Sequence, residues 1–145
     1  MNNATALPAT SAPKAGRGLH IGLWIAQALL AAAFLMSGGM KLTAPLEALQ
    51  AQMPWVSGAM GALVRFIGAA EVAGALGLLL PSLTRIAPRL TVLAAIGLGV
   101  IMVLASITHA SRGEFPMIGA NVVLGGVAAF IAWGRSSRAP IAPRG

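Results

Sequence analysis

The chain has 145 residues, with ten basic and three acidic side chains and 57% apolar residues. Only 9% of its residues are charged, against roughly 25% in an average soluble domain, which together with a mean hydropathy of +0.83 excludes a water-solvated surface. The sequence has no Cys, Asp or Tyr, which removes disulfides, thiolate chemistry, zinc-thiolate sites and iron–sulfur clusters; its basic residues lie scattered between apolar runs, so the net charge of +7 argues for membrane orientation and against nucleic acid.

Residues 1–18, rich in Ala, Pro, Ser, Thr and Asn, have no apolar period and are expected to form a disordered tail. The first apolar run covers His20–Leu42 with Gln27 as its strongly polar interior residue. It exceeds the apolar core of a cleaved signal peptide, about 7–15 residues, and is read as a membrane span. Leu46, Leu49 and Met53 then recur at helical spacing among Glu47, Gln50 and Gln52. That pattern predicts a short amphipathic helix after Pro45, at the membrane interface or folded over the bundle mouth.

Pro54, Ser57, Gly58 and Gly61 supply loop character. A second span is predicted over Leu63–Leu80, closed by Pro81, and a third from Pro88 to Thr108. His109–Pro116 reads as a connection, Met117–Trp133 as a fourth span, and residues 136–145 as a second disordered tail. The expected organisation is therefore an all-α, four-transmembrane-helix bundle over residues 19–135 between two tails. Small residues at four-residue spacing (Ala69, Ala73 and Gly77; Ala70 and Gly74; Ala95 and Gly99) are candidate seams between helices.

Four spans put both termini on one side, with Lys14, Arg17, Arg85, Arg89, Arg135, Arg138 and Arg144. Lys41, Arg65 and Arg112 fall on the other. The excess of Lys and Arg marks the cytoplasmic side, so both termini are expected in the cytoplasm of a bacterial-type cell, with the protein in its inner membrane. Trp24 and Trp133 then fall near the cytoplasmic interface.

Polar residues inside a span need a reason. Glu71 lies about 12 Å along the second span, at 1.5 Å per residue, where a carboxylate takes up a proton or finds a donor. Arg65 is six residues earlier and off that helical face, whereas Lys41 is available from a neighbouring helix. Lys41, Arg65, Glu71, His109 and Asn121 all fall in the outer half of the predicted bundle. They are the candidate ligand-binding or proton-handling residues, with Ser37 and Ser106 as further lining. The alternative for each is structural: snorkelling for Lys41 and Arg65, a buried Lys41–Glu71 pair, and an interhelical hydrogen bond for Asn121.

His20 and His109 lie at opposite ends, so one subunit does not supply both to a haem or metal. Met36, Met40 and His109 imitate a soft copper site, but the methionines read as core filler, and no metal site is expected. No complete nucleophile, base and orienter set appears. Any redox role needs a borrowed cofactor.

The runs Phe34–Leu42 (FLMSGGMKL) and Ile67–Pro81 (IGAAEVAGALGLLLP), then Ile107-Thr108-His109, then Asn121–Gly134 followed by Arg135, resemble the DoxX-like family of small four-helix membrane proteins over about residues 20–135. Lys41, Glu71, His109 and Asn121 are the positions that match. The resemblance implies association with membrane oxidoreductase assemblies, including thiosulfate:quinone oxidoreductase subunits. Three readings follow. The first is a quinone- or small-ligand-binding subunit working with oxidoreductase partner proteins in the bilayer, with a homo-oligomer also open. The second is a non-catalytic scaffold or assembly subunit. The third, a small-solute carrier, has less in its favour, since Gln27 is the one obvious polar group deep on the cytoplasmic side.

Overall fold

The computed structural model describes residues 16–144. Of the tail expected over residues 1–18, residues 1–15, with Lys14, lie outside the described residues, and Arg17 and Gly18 already form the start of the first helix. Five α-helices follow in order: α1 Arg17–Thr43, α2 Leu46–Gln52, α3 Met60–Thr84, α4 Arg89–Ser111 and α5 Phe115–Trp133, which runs on into a π-helical turn, Gly134–Arg138. Four of them are long and apolar enough to cross a membrane. Helix α1 packs on α3, α3 on α4 and α4 on α5, and α5 closes back on α1.

The outward faces are apolar and uncovered, as with Met36 at 77% and Phe66 at 71% exposure. In water this would be untenable; in lipid it is the solvent-facing surface. Met36 thus faces out instead of filling the core. The interior is a narrow column that includes Leu30, Phe34, Leu78, Leu98, Met102 and Ile131.

Two helices approach closely at Gly38 of α1 and Gly68 of α3. A Cβ added at Gly38 would lie 2.7 Å from the Gly68 carbonyl oxygen, and one at Gly68 2.9 Å from that of Gly38. Helices in lipid associate by close packing, and two hydrogens in place of side chains permit it. Among the anticipated seams, Gly77 meets Ala94 and Gly74 meets Leu98, while Ala69 and Ala73 are exposed.

Three boundaries differ from expectation. Pro81 does not end α3, which continues to Thr84. Its ring removes the donor that the Gly77 carbonyl would use, and one residue further on Gln27 of α1 donates to the Leu78 carbonyl at 2.6 Å, the kind of neighbouring support that lets a membrane helix keep a proline. His109 belongs to α4, which runs to Ser111, and Gly113 in the turn beyond it takes a positive-φ conformation (φ 73°) suited to glycine. Helix α5 already starts at Phe115 with Pro116 in its first turn, where a proline's missing donor is not needed.

The fourth span also continues past Trp133, because Gly134 and Arg135 are buried against α1. Residues 139–144 follow without a helix, and the Arg144 amide donates to the Arg85 carbonyl at 3.0 Å. Both the first and last described residues are at the Arg135 end of the bundle. The opposite end carries Lys41 and His109, and there Leu49 of α2 packs with Val56 and Val64.

Candidate functional site

At the Lys41 end, α1 and α3 place a buried ion pair. Lys41 Nζ lies 2.6 Å from Glu71 Oε1 and 2.7 Å from Oε2. It also donates to Ser37 Oγ at 2.8 Å, and that hydroxyl donates to Glu71 Oε2 at 3.1 Å. Ser37 and Lys41 are four residues apart and share a helical face. Glu71 reaches them because the Gly38–Gly68 contact brings the two backbones together. Glu71 is 2% exposed and Lys41 16%. All three ammonium protons have an acceptor within this triad.

Arg65 is turned elsewhere. Its guanidinium donates to the Lys41 carbonyl through Nη1 and to the Ala44 carbonyl through Nη2, the latter at 2.6 Å. These are carbonyls of the last turn of α1 and its cap, groups that lack intrahelical donors and carry the negative end of the helix dipole. Arg65 therefore caps α1 across the interface and does not line the cavity described next.

A cavity of about 320 Å³ opens beside the triad. Its polar lining includes Ser37, Lys41, Glu71, His109 and Asn121, and Phe34, Val64, Met102 and Leu124 make much of its apolar wall. Four of the five sequence candidates thus meet on one cavity. Asn121 Nδ2 is buried and makes no hydrogen bond among the described residues. Ser106 does not join them: it donates to the Met102 carbonyl at 2.8 Å and lines a neighbouring groove between α4 and α5.

His109 is held from outside the cavity. Its Nδ1 lies 2.7 Å from Glu114 Oε2, and Arg112 Nε donates to Glu114 Oε1 at 3.0 Å. The hydrogen bonds from His109 and then Arg112 hold the Glu114 carboxyl below the usual carboxylate range. An ionised carboxylate only accepts, so Nδ1 carries the shared proton, and Nε2 has no hydrogen-bond partner among the described residues. The Arg112 guanidinium also stacks over Trp55, 5.3 Å from the ring centre. Trp55 and Met53, from the segment after α2, line the same cavity.

Trp55, Arg112 and Glu114 were not among the sequence candidates. The one available signal was the proximity of His109, Arg112 and Glu114 in a short turn; nothing in the sequence linked Trp55 to them. At the opposite end, His20 accepts from Trp24 Nε1 at 3.2 Å and contacts Arg135 at 3.3 Å. The two histidines are therefore at opposite ends of the bundle.

The cavity shares Met102, Leu104 and Asn121 with the α4–α5 groove. That groove is bounded by residues on the lipid-facing surface, such as Val103 and Val122. The geometry describes a mostly apolar chamber with a fixed charge pair at one wall and an uncommitted amide donor at the lipid-side wall.

The chain matches the family model described as the DoxX-like family over residues 25–131. No curated protein and no solved structure matches it.

Proposed function

The chain belongs to the DoxX-like family, and from that premise we propose that it is an integral inner-membrane subunit that binds a quinone or similar lipid-soluble ligand for a membrane oxidoreductase complex. The carrying observation is the position of Asn121, whose buried amide nitrogen is unspent in a wall common to the cavity and the lipid-facing groove. A buried donor without an acceptor is costly. A ligand carbonyl entering from the bilayer would satisfy it.

In this reading the apolar wall takes the ring of the ligand, Asn121 donates to its oxygen, and the free Nε2 of His109 exchanges a proton with solvent or ligand. The Lys41–Glu71 pair sets the potential of the opposite wall, and a proton can pass to the ligand through Glu71 when the pair opens. The distribution of Lys and Arg, seven residues toward the termini and three toward the cavity end, supports cytoplasmic termini and a cavity facing the other side.

Trp55 lines the cavity, whereas Trp24 contacts Arg135 and Trp133 stacks on Arg138, both at the far end. Titration of the protein in neutral-lipid nanodiscs with a short-chain ubiquinone analogue should quench Trp55 fluorescence to saturation. Asn121→Leu should weaken the affinity read from that quenching by about fivefold or more, since loss of a good hydrogen bond to a buried partner is worth about 1–3 kcal/mol. Non-saturable quenching, or equal affinity in the variant, would overturn the proposal.

A second reading has its own observation. The Lys41–Ser37–Glu71 triad satisfies itself without a ligand, as expected of a scaffold or assembly subunit whose charges lock two helices. Under that reading, substitutions at Lys41 and Glu71 lower abundance and partner recovery while quinone affinity per folded molecule does not change.

A further inference from the structure

At the Arg135 end, the same bundle holds a cation without a counter-ion among the described residues. Arg135 is 4% exposed, and a guanidinium stays charged at any relevant pH. Its Nε donates to Gln27 Oε1 at 2.6 Å, and Nη1 donates to the Ala139 carbonyl at 3.2 Å. Its face stacks on Trp24 at 5.2 Å from the ring centre. Gln27 is in turn locked by the Leu78 carbonyl and by Ser82, which bonds Thr91. The guanidinium is therefore held rigidly, while its Nη2 is buried with no partner among the described residues.

None of these contacts is anionic, and the sequence has no carboxylate side chain to offer. Its three acids are Glu47, Glu71 and Glu114; Glu71 is held by Lys41, Glu114 by His109 and Arg112, and Glu47 lies on α2. All three are at the other end of the bundle. A buried charge lacking a partner is strongly unfavourable, and among the described residues no anion reaches Arg135.

Arg135 forms part of the wall of a cavity of about 900 Å³, together with Arg89 and Ser136. Arg89 is exposed and supplies a second cation. Val92, Leu93 and Ile141 give the same cavity an apolar side, and Leu93 lies on the lipid-facing surface at 61% exposure. Two arginines beside hydroxyls suit a phosphate group, which takes planar guanidinium donors well. Basic pockets between membrane helices on the cytoplasmic side bind phospholipid headgroups in this way.

We propose that this cavity is a phosphate-binding site seated on Arg135 and Arg89, distinct from the Lys41 cavity. The phosphate is that of an anionic phospholipid headgroup or a free phosphate from the aqueous side. The two sources share the chemistry and separate in one experiment.

The full chain is reconstituted in nanodiscs of phosphatidylcholine alone, of phosphatidylcholine with phosphatidylglycerol, and of phosphatidylcholine with added inorganic phosphate at constant ionic strength. Thermal unfolding and the lipids retained in native mass spectrometry are recorded. A ligand that binds only the folded state raises the unfolding midpoint. A rise and several-fold preferential retention with phosphatidylglycerol assign the lipid headgroup; a rise with phosphate in the neutral discs assigns the free ion.

Arg89→Gln, an exposed change that preserves the Arg135 network, should lower the shift and the retention several-fold. Arg135→Lys, which keeps the charge but loses the planar fork, should do the same. Arg138→Gln removes an equal charge at the same end but stacks on Trp133 outside the cavity, and should leave both readouts near wild type. The site is overturned if neither phosphate source shifts the wild type, or if Arg89→Gln and Arg138→Gln behave alike.

Discussion

The ammonium of Lys41 sits between both carboxylate oxygens of Glu71, at 2.6 and 2.7 Å, directly beside the point where Gly38 and Gly68 let two membrane helices touch. Pair and crossing depend on each other: the glycines bring the backbones close enough for the charges to meet, and the charges are tolerable in the membrane only when they meet. One contact therefore serves both the packing of α1 on α3 and the electrostatics of the cavity wall.

Removing one member of this pair should be far worse than removing both. Lys41→Met leaves Glu71 buried and uncompensated, and breaking a buried pair this way costs about 3–5 kcal/mol. The double variant Lys41→Met/Glu71→Leu should recover much of that loss. Unfolding in mixed micelles, run as a double-mutant cycle, measures the difference directly. Equal losses in single and double variants would show that the pair does not hold the helices.

Gly68→Ala should destabilise the bundle by about 1–3 kcal/mol, the usual cost of overpacking. The added methyl would lie 2.9 Å from the Gly38 carbonyl oxygen and 2.8 Å from Lys41 Cβ, and neither backbone nor Cβ can turn aside. Gly39→Ala is the natural comparison, since nothing lies within 4 Å of a methyl there. It should be neutral or stabilising by about 0.5–1 kcal/mol, because glycine is a poor helix former. The same unfolding assay separates the two.

Arg65→Gln should lower stability by about 1.5–3 kcal/mol, the range for hydrogen bonds to a charged group. It withdraws the donors to the Lys41 and Ala44 carbonyls. Hydrogen exchange should localise the loss to the last turn of α1, with faster exchange around residues 40–44 than at the Arg135 end. Uniform acceleration throughout the bundle would contradict a local cap.

The turn between α4 and α5 should respond to acid. Glu114 is held below its ordinary value by His109 and Arg112. A depressed carboxyl pKa stabilises the native state at pH above the unfolded-state value, and the stabilisation disappears as pH falls through the lower native value. The difference in unfolding midpoint between wild type and Glu114→Gln should therefore be full at neutral pH, begin to shrink near pH 4 and close below it. A pH-independent difference would place the contribution in packing instead.

The bilayer assignment, the count of four spans and the short helix after Pro45 were legible in the sequence, because hydropathy and length are local properties of a segment. So was the short list of polar residues: in so apolar a chain, Lys41, Glu71, His109 and Asn121 stand out without any fold. The helix does not end at Pro81 because a membrane helix keeps a proline where a neighbour supports the backbone, and Gln27 of α1 donates to the Leu78 carbonyl there.

Which faces turn inward was decided by the tertiary structure. Helices that are apolar all round carry no stripe to mark a core, and lipid offers no hydrophobic preference for one face over another. Only assembly could show that Gly38 meets Gly68, that Arg65 caps α1 instead of joining Glu71, and that Arg135 is buried without an acid. The low charge content alone identified the solvent; close packing determined which few charges meet.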